Sequence, residues 1–199
     1  LAFYVISVEL LSGMALSLCF LREGFTPLES LWRGFFTAVS AFCNAGFSLY
    51  KDSLATLSQW HGFSISTFMV LIVLGGLGFP VLRALFLRII HPASVHYRLS
   101  VSTRLVLIAT AILLVAGTVA FYFMEQKGRL VGMSAGEAWM HSLFYSITTR
   151  TAGFETVSTA TLALPTVFFT FLLMWIGASP VSTGGGIKTS TISVATVHI

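Results

Sequence analysis

Two short turns in the sequence place a polar residue, alanine, glycine and phenylalanine in the same order. The first is Asn44-Ala45-Gly46-Phe47, and the second is Thr151-Ala152-Gly153-Phe154. Because glycine adopts positive φ without penalty, each turn is able to point successive carbonyl oxygens towards one axis. Rings of backbone carbonyls replace the hydration shell of a cation in potassium-selective filters. The two turns, called here the first and second filter turns, therefore predict backbone ligands for a monovalent cation.

The filter turns belong to a longer repeated segment. Residues 32–47 match residues 139–154 at one constant offset, from a tryptophan to the final phenylalanine. A single Ala-Gly-Phe tripeptide is more simply explained as a tight structural turn without an ion. Two aligned copies, each after a short aromatic-rich stretch, favour the filter instead.

The stretch before each filter turn is too short to cross a bilayer. Residues 28–41 and 134–147 are predicted to be helical, and at about 1.5 Å per residue such helices span only part of a hydrocarbon core about 30 Å thick. We call them pore helices and expect them to enter the membrane and turn back. Non-helical backbone at that depth is tolerated where it is buried in protein or lines a water-filled cavity. The C-terminal end of each pore helix would also favour a cation through its dipole.

The composition places these segments in a membrane. Hydrophobic residues make up 56% of the 199-residue chain and charged residues 9%, with a mean hydropathy of +0.90. These values are unlike those of soluble globular domains. The sequence predicts an all-α, polytopic membrane protein.

The apolar segments divide the chain into two repeats of span, pore helix, filter loop and span. The first repeat covers residues 1–95, and the second covers residues 96–199. Their predicted spans are residues 1–21, 63–88 and 104–124, with a broken span over residues 162–199, and their filter loops are residues 43–48 and 148–155.

Basic residues between two predicted spans set the orientation. They are Arg83, Arg88, Arg98 and Arg104, with His91 and His96, and no Asp or Glu lies among them. The positive-inside rule makes this loop cytoplasmic and both pore helices external. Lipid headgroups and topology account for the net charge of +4, so nucleic-acid binding is not predicted.

The broken span contains a segment of small and hydroxyl-bearing residues, which we call the gating loop (residues 177–190). Its candidate residues are Gly177, Ser179, Ser182, Thr183, Gly184, Gly185, Gly186 and Lys188. Glycine and proline remove helix propensity, and the topology places the loop on the cytoplasmic side of the second filter turn, where it would obstruct or admit ions. A phosphate-binding loop needs glycine directly before lysine, and Ile187 stands there instead, so nucleotide binding is rejected.

Two charged residues within predicted membrane segments leave questions open. Arg150 adjoins the second filter turn and would repel a cation, so we expect its side chain behind the filter, paired with Glu155 or Glu137. Glu9 interrupts the first span and is either an ion or proton relay or a residue that caps a pore helix or faces a polar neighbour.

Other functional classes find little support in the sequence. HExxH, GxSxG and metal-spaced cysteines are missing, and the five histidines are scattered, so an enzyme is not predicted. Cys19 and Cys43 are expected to be free apolar thiols. The chain begins at Leu1 and ends at Ile199 within an apparently helical pattern, so we expect it to be part of a longer protein.

Three segments together resemble the TrkH/KtrB superfamily of potassium uptake proteins. They are residues 40–48, 148–154 and 177–189. Members have four repeats around one pore, and this chain resembles the second and third. The resemblance implies that carbonyls of both filter turns coordinate K⁺, with Na⁺ as a further candidate ion, and that residues 177–189 form an intramembrane gate.

The same resemblance implies a multi-pass protein of the inner or plasma membrane. It also implies a homodimer with cytosolic nucleotide-binding regulatory subunits of the TrkA/KtrA type, for which the basic loop is a candidate docking face. The sequence departs from the family pattern at Cys43, where a polar residue is common, and at Ala178 and Val181, where glycines are frequent.

The expected function is potassium uptake through a carbonyl filter with an intramembrane gate. Channel-like and sodium- or proton-coupled transport both remain open. One alternative is a secondary transporter of another class with its substrate site at the broken span, although the repeats here run parallel rather than inverted. Another is a non-conducting membrane scaffold in which the turns are only structural.

Overall fold

The computed structural model describes residues 2–54, 62–91, 99–156 and 158–191. All the regular elements within these ranges are helical, which confirms the all-α fold class. The helices are α1 (Ala2–Arg22), α2 (Pro27–Phe42), α3 (Gly62–Leu77), α4 (Phe79–Ile90), α5 (Val101–Glu125), α6 (Ala135–Thr148) and α7 (Leu164–Trp175), with a 3-10 helix at Thr159–Thr161. Helical backbone begins again at Thr189.

The long helices have the length and composition of membrane spans. Within the described residues, α1 and α5 are each long and apolar enough to cross a bilayer alone. Helices α3 and α4 qualify only as a pair, and they meet at an angle of 108°. The glycines and proline of residues 75–80 predict a kink within the span over residues 63–88, and the structure breaks the helix there, at Gly78, which has φ 81°. Pro80, in the first turn of α4, has no N–H to donate to the carbonyl of Gly76, so α3 does not continue unbroken through the bend.

Helices α2 and α6 are the pore helices, and each begins at a side-chain cap. Thr26 Oγ1 accepts a hydrogen bond from the backbone N–H of Glu29 at 3.4 Å. Ser134 and Glu137 form a reciprocal capping box at the start of α6. The hydrogen bonds from Ser134 also lower the pKa of Glu137. These caps fix where each pore helix starts, and therefore where the filter turn that follows its C-terminal end lies.

Both halves of the chain contribute to one hydrophobic core beside the filter turns. Helix α2 packs on α1, α6 packs on α5, and α3 lies between the two pore helices. Phe154 is fully buried, and its ring centroid lies 6.1 Å from that of Phe68 in α3. The backbone N–H of Leu54 donates to the carbonyl of Glu155 at 2.8 Å. The second filter turn is therefore packed against elements of the first half.

Candidate functional site

The two filter turns have positive φ at the same two positions. In the first, Asn44 and Gly46 have φ of 50° and 71°; in the second, Thr151 and Gly153 have φ of 74° and 77°. Left-handed backbone suits glycine and is tolerated by asparagine, but it is unfavourable for the β-branched threonine. Such a conformation persists where the surrounding structure holds it. Positive φ therefore recurs at matching positions of the two copies, so the repeated sequence folds into a repeated turn.

The glycines of the two turns lie side by side. A Cβ atom placed on Gly46 would be 2.8 Å from the carbonyl oxygen of Ala152 and 3.2 Å from the Cα of Gly153. A Cβ atom placed on Gly153 would be 3.5 Å from the Cα of Gly46. Gly46 is therefore required both by its positive φ and by the close approach of the second turn.

Hydrogen bonds at the pore-helix ends set the direction of the filter carbonyls. The backbone N–H of Ala45 donates to the carbonyl of Ser40 at 2.9 Å, and that of Ala152 donates to the carbonyl of Thr148 at 3.0 Å. Within a planar trans peptide, the C=O and N–H groups point in opposite directions. The Asn44 carbonyl shares a peptide unit with the Ala45 N–H, and the Thr151 carbonyl shares one with the Ala152 N–H. Both carbonyls therefore point away from the preceding pore helix, beyond its C-terminal end.

The phenylalanine carbonyls of the filter turns have a different environment. Ser40 Oγ donates to the carbonyl oxygen of Phe47 at 2.8 Å, and Thr148 Oγ1 donates to that of Phe154 at 2.6 Å. Both carbonyls are thus held by hydroxyls in the last turn of the preceding pore helix. The sequence predicts Phe47 and Phe154 as cation ligands. In the structure, their carbonyls accept hydrogen bonds from hydroxyls, which anchor the end of each filter turn to its pore helix.

The flanks of the two turns differ in exposure. Ala152 is 1% exposed and Phe154 is fully buried, since both face the shared core. Phe47, which matches Phe154, is 68% exposed among the described residues. The second filter turn is therefore supported on a side where the first is open.

The gating loop closes on itself through backbone hydrogen bonds. The N–H of Gly177 donates to the carbonyl of Ile187 at 3.0 Å, and the N–H of Ala178 donates to that of Gly185 at 3.1 Å. Lys188 Nζ donates to the carbonyl of Gly184 at 2.7 Å. The loop is therefore an ordered hairpin-like segment, and the lysine ammonium is used inside it.

This loop also contacts both filter turns. Asn44 Nδ2 donates to Thr183 Oγ1 at 2.8 Å, and the backbone N–H of Gly185 donates to Thr151 Oγ1 at 3.1 Å. The N–H of Ser179 donates to the carbonyl of Gly76 near the end of α3, at 3.1 Å. The structure therefore places the loop directly against the filter turns.

The remaining loop candidates lie in the same segment. Ser182 Oγ donates to the carbonyl of Ser179 at 2.6 Å, which closes a small turn. Gly184 is buried, and a Cβ atom there would lie 2.5 Å from Thr151 Oγ1. Gly186 has φ 75° and lies opposite Gly177 in the hairpin. Small residues thus permit the hairpin to close and to approach the second filter turn.

The hydrogen-bond partner of Arg150 differs from the one predicted from the sequence. Arg150 Nη2 lies 3.5 Å from the carbonyl oxygen of Gly177, at the start of the gating loop, and its Nε is buried. The expected pairing with Glu155 or Glu137 is wrong for the described structure. Glu155 accepts from Thr159 Oγ1, while Glu137 is held in the capping box at the far end of α6, roughly 20 Å away along a helix of this length.

Glu9 keeps both of its interpretations. It lies half-buried on α1, and its carboxylate makes no hydrogen bond or ion pair with the described part of the chain. A relay role and a structural role both remain predictions.

Sequence reasoning missed Glu125. This residue is 1% exposed, at the end of α5, and its Oε1 accepts from the N–H of Ala163 at 2.9 Å and from Thr166 Oγ1 at 2.6 Å. Ala163 is the N-cap position of α7 and has no capping side chain of its own. A carboxylate at a helix N-terminus is favourable, so Glu125 fixes the start of the helix that leads into the gating loop. An acidic residue at the end of a long apolar span was the available signal.

Comparison with known proteins identifies the family of this chain. Residues 1–198 match the model of the TrkH family, described as a cation transport protein. The chain belongs to the TrkH family. This confirms the resemblance, and the protein is a multi-pass membrane protein of a transporter family rather than an enzyme.

Two curated relatives are each identical to this chain at about a third of the aligned positions. The chain is 33% identical over 199 residues to the potassium/sodium uptake protein NtpJ of Enterococcus hirae, covering 98% of this chain and 42% of the relative. It is 36% identical over 187 residues to the Ktr system potassium uptake protein B of Vibrio alginolyticus, covering 91% and 40%. The chain thus spans about two-fifths of the length of these relatives.

A solved TrkH structure has the same fold. The crystal structure of the potassium transporter TrkH from Vibrio parahaemolyticus superposes with a TM-score of 0.70 at 22% identity, covering 98% of this chain and 39% of that one. At this identity the match supports the helical fold and does not assign residue roles.

Proposed function

We propose that this chain supplies two filter turns and the gating loop of a potassium uptake protein. The observation that carries the proposal is the paired geometry of the turns. The Asn44 and Thr151 carbonyls point beyond their helix ends, while Gly46 and Gly153 lie side by side. The carbonyls of Asn44 and Thr151 thus belong to two turns that touch at their glycines.

In this proposal, the carbonyls of Asn44, Ala45 and Gly46, and those of Thr151, Ala152 and Gly153, take the place of water around the ion. The C-terminal ends of α2 and α6 add partial negative charge at the same place. Phe47 and Phe154 contribute mainly by anchoring, because their carbonyls accept hydroxyl hydrogen bonds from the pore helices. K⁺ is the proposed transported ion, with Na⁺ as the competitor.

Further filter turns would complete the pore. The chain covers only 42% of NtpJ, and two turns enclose only part of a ring. Phe47 is 68% exposed, whereas its counterpart Phe154 packs on Phe68 of α3. We propose that another repeat of the whole protein covers Phe47 as α3 covers Phe154.

The gating loop would control passage below the filter. It is ordered by its own hydrogen bonds and contacts a side chain of each filter turn. A segment in this position blocks an ion that leaves the filter unless the loop moves.

A homodimer with cytosolic regulatory subunits of the TrkA/KtrA type is the proposed assembly. Arg83 and Arg104 are exposed on α4 and at the start of α5, at the predicted cytoplasmic end. His96 and Arg98 of the basic loop lie outside the described residues. Light scattering of the purified full-length protein, with and without added regulatory subunit, tests this assembly.

Rubidium uptake into proteoliposomes that contain the full-length protein tests the transport proposal. Gly46→Ser and Gly153→Ser should weaken the discrimination of K⁺ and Rb⁺ against Na⁺. Gly132→Ser is the matched control, because Gly132 also has positive φ but faces open space. A scaffold would carry no Rb⁺, and a transporter with its site at the broken span would keep its selectivity in both filter variants.

A further inference from the structure

A short chain of polar groups connects the gating loop to the first filter turn. Asn44 Nδ2 donates to Thr183 Oγ1 at 2.8 Å, and Thr183 Oγ1 donates to the carbonyl oxygen of Phe42 at 3.2 Å. The backbone N–H of Thr183 donates to the carbonyl of Gly75 at 3.3 Å. One loop residue therefore reaches the filter turn, the end of α2 and the end of α3.

The direction of these hydrogen bonds follows from the donor inventory. A threonine hydroxyl has one hydrogen to donate, and here it is directed at the Phe42 carbonyl. The hydroxyl must then accept from its other neighbour, so the Nδ2 of Asn44, rather than its Oδ1, faces Thr183. Asn44 is 9% exposed, and its Oδ1 is buried without a hydrogen-bond partner among the described residues, so the bond from Nδ2 to Thr183 is what orients this amide.

Close packing brings the three partners together. A Cβ atom on Gly75 would collide with the carbonyl oxygen of Phe42, so α3 passes directly against the end of α2. The Thr183 hydroxyl lies at this junction. If the loop moved away, Asn44 Nδ2 would lose its acceptor, and the carbonyl oxygen of Phe42 would lose the hydroxyl of Thr183 as a donor.

We propose that the hydrogen bond between Asn44 and Thr183 is a latch that holds the gating loop closed, and that Thr183 is a gate-positioning residue. This inference rests on the proposed function, because it takes the loop to be the gate. Asn44 contributes its backbone carbonyl to the filter and its side chain to the latch. The occupied filter and the closed loop are thus linked through one residue.

Breaking the latch should favour the open loop. Thr183→Val keeps the shape of the side chain but removes the hydroxyl. Since a hydrogen bond typically contributes about 0.5 to 1.5 kcal/mol net, Rb⁺ flux without regulatory subunit should rise about two- to tenfold. Thr183→Ser retains the hydroxyl and should restore the low flux. Asn44→Gly removes the donor and suits the positive φ of that position. It should also raise the flux, but by less than Thr183→Val, which removes the hydrogen bond to the Phe42 carbonyl as well.

The experiment uses full-length protein in liposomes, with flux expressed per folded protein from size-exclusion chromatography. The double variant of Asn44→Gly and Thr183→Val should be no leakier than Thr183→Val alone, because Thr183→Val already removes the one bond that Asn44→Gly removes. Thr183→Val should keep its preference for Rb⁺ over Na⁺. Unchanged or lower flux in Thr183→Val, additive effects, or a rise with lost selectivity would each overturn the latch. No Rb⁺ uptake by the wild type would instead contradict the proposed function.

Discussion

Alanine substitution at the two filter glycines should produce unequal effects, although the glycines occupy equivalent positions. Gly46 and Gly153 have nearly the same φ, 71° and 77°. Alanine at either position therefore incurs a similar left-handed strain of about 1 to 2 kcal/mol. The difference lies in the space around the added methyl group.

At Gly46 the methyl carbon would lie 2.8 Å from the Ala152 carbonyl oxygen, so the backbone of the second turn has to move. At Gly153 the closest contact would be 3.5 Å, which is ordinary van der Waals distance. Because about 1.4 kcal/mol corresponds to a tenfold change in an equilibrium, the left-handed strain limits the loss of discrimination against Na⁺ in Gly153→Ala to roughly 5- to 30-fold. Gly46→Ala should reduce this discrimination further, since it also displaces Ala152.

The assay is competition of Na⁺ with ⁸⁶Rb⁺ uptake by full-length protein in proteoliposomes. Gly132→Ala is the control, because Gly132 has φ 85° and nothing within 4 Å of an added Cβ atom. It should lose stability through the same strain but keep wild-type selectivity. The reasoning fails if Gly153→Ala impairs selectivity as much as Gly46→Ala, or if neither variant changes it.

Three further predictions concern the elements that hold the site. Ser40→Ala removes the hydroxyl that anchors the Phe47 carbonyl. It should lower the free energy of unfolding by about 1 kcal/mol and weaken Rb⁺ selectivity. A variant as stable and as selective as the wild type would exclude this anchoring role. Glu125→Leu leaves the N-terminus of α7 without its cap, so thermal unfolding of the purified protein should occur several degrees lower, and an unchanged midpoint would contradict the capping role. The lowered pKa of Glu137 means that its ionised form stabilises the start of α6 at pH values above the ordinary value of 4.5, and that this contribution is lost as the pH falls below it. The difference in unfolding midpoint between wild type and Glu137→Gln should therefore shrink on acidification, and a constant difference would refute the assignment.

Local features of the site were predictable from the sequence because they depend on local chemistry. Glycine at matching positions of a repeated segment indicated two turns with positive φ, and the structure has Gly46 and Gly153 in that conformation. The apolar runs indicated the helices. The caps at Thr26 and Ser134 act on backbone groups only a few positions away and are seen in the structure.

Contacts between distant parts of the chain were not predictable. The approach of Gly46 to Gly153, and the hydrogen bond from Asn44 to Thr183, depend on how whole helices pack. The partner of Arg150 was assigned by opposite charge, whereas packing places the guanidinium beside a carbonyl of the gating loop. Glycine and proline signalled the break at Gly78, but the 108° angle is set by the elements packed around it.

The central claim is that backbone oxygens of the two filter turns bind the transported ion. An anomalous difference map of crystals of the full-length protein grown in Rb⁺ tests it most directly. We expect a peak within coordinating distance of the carbonyl oxygens of Asn44 and Thr151, beside the contact between Gly46 and Gly153. A map with no peak there, or with the Rb⁺ bound only at the broken span, would contradict the claim.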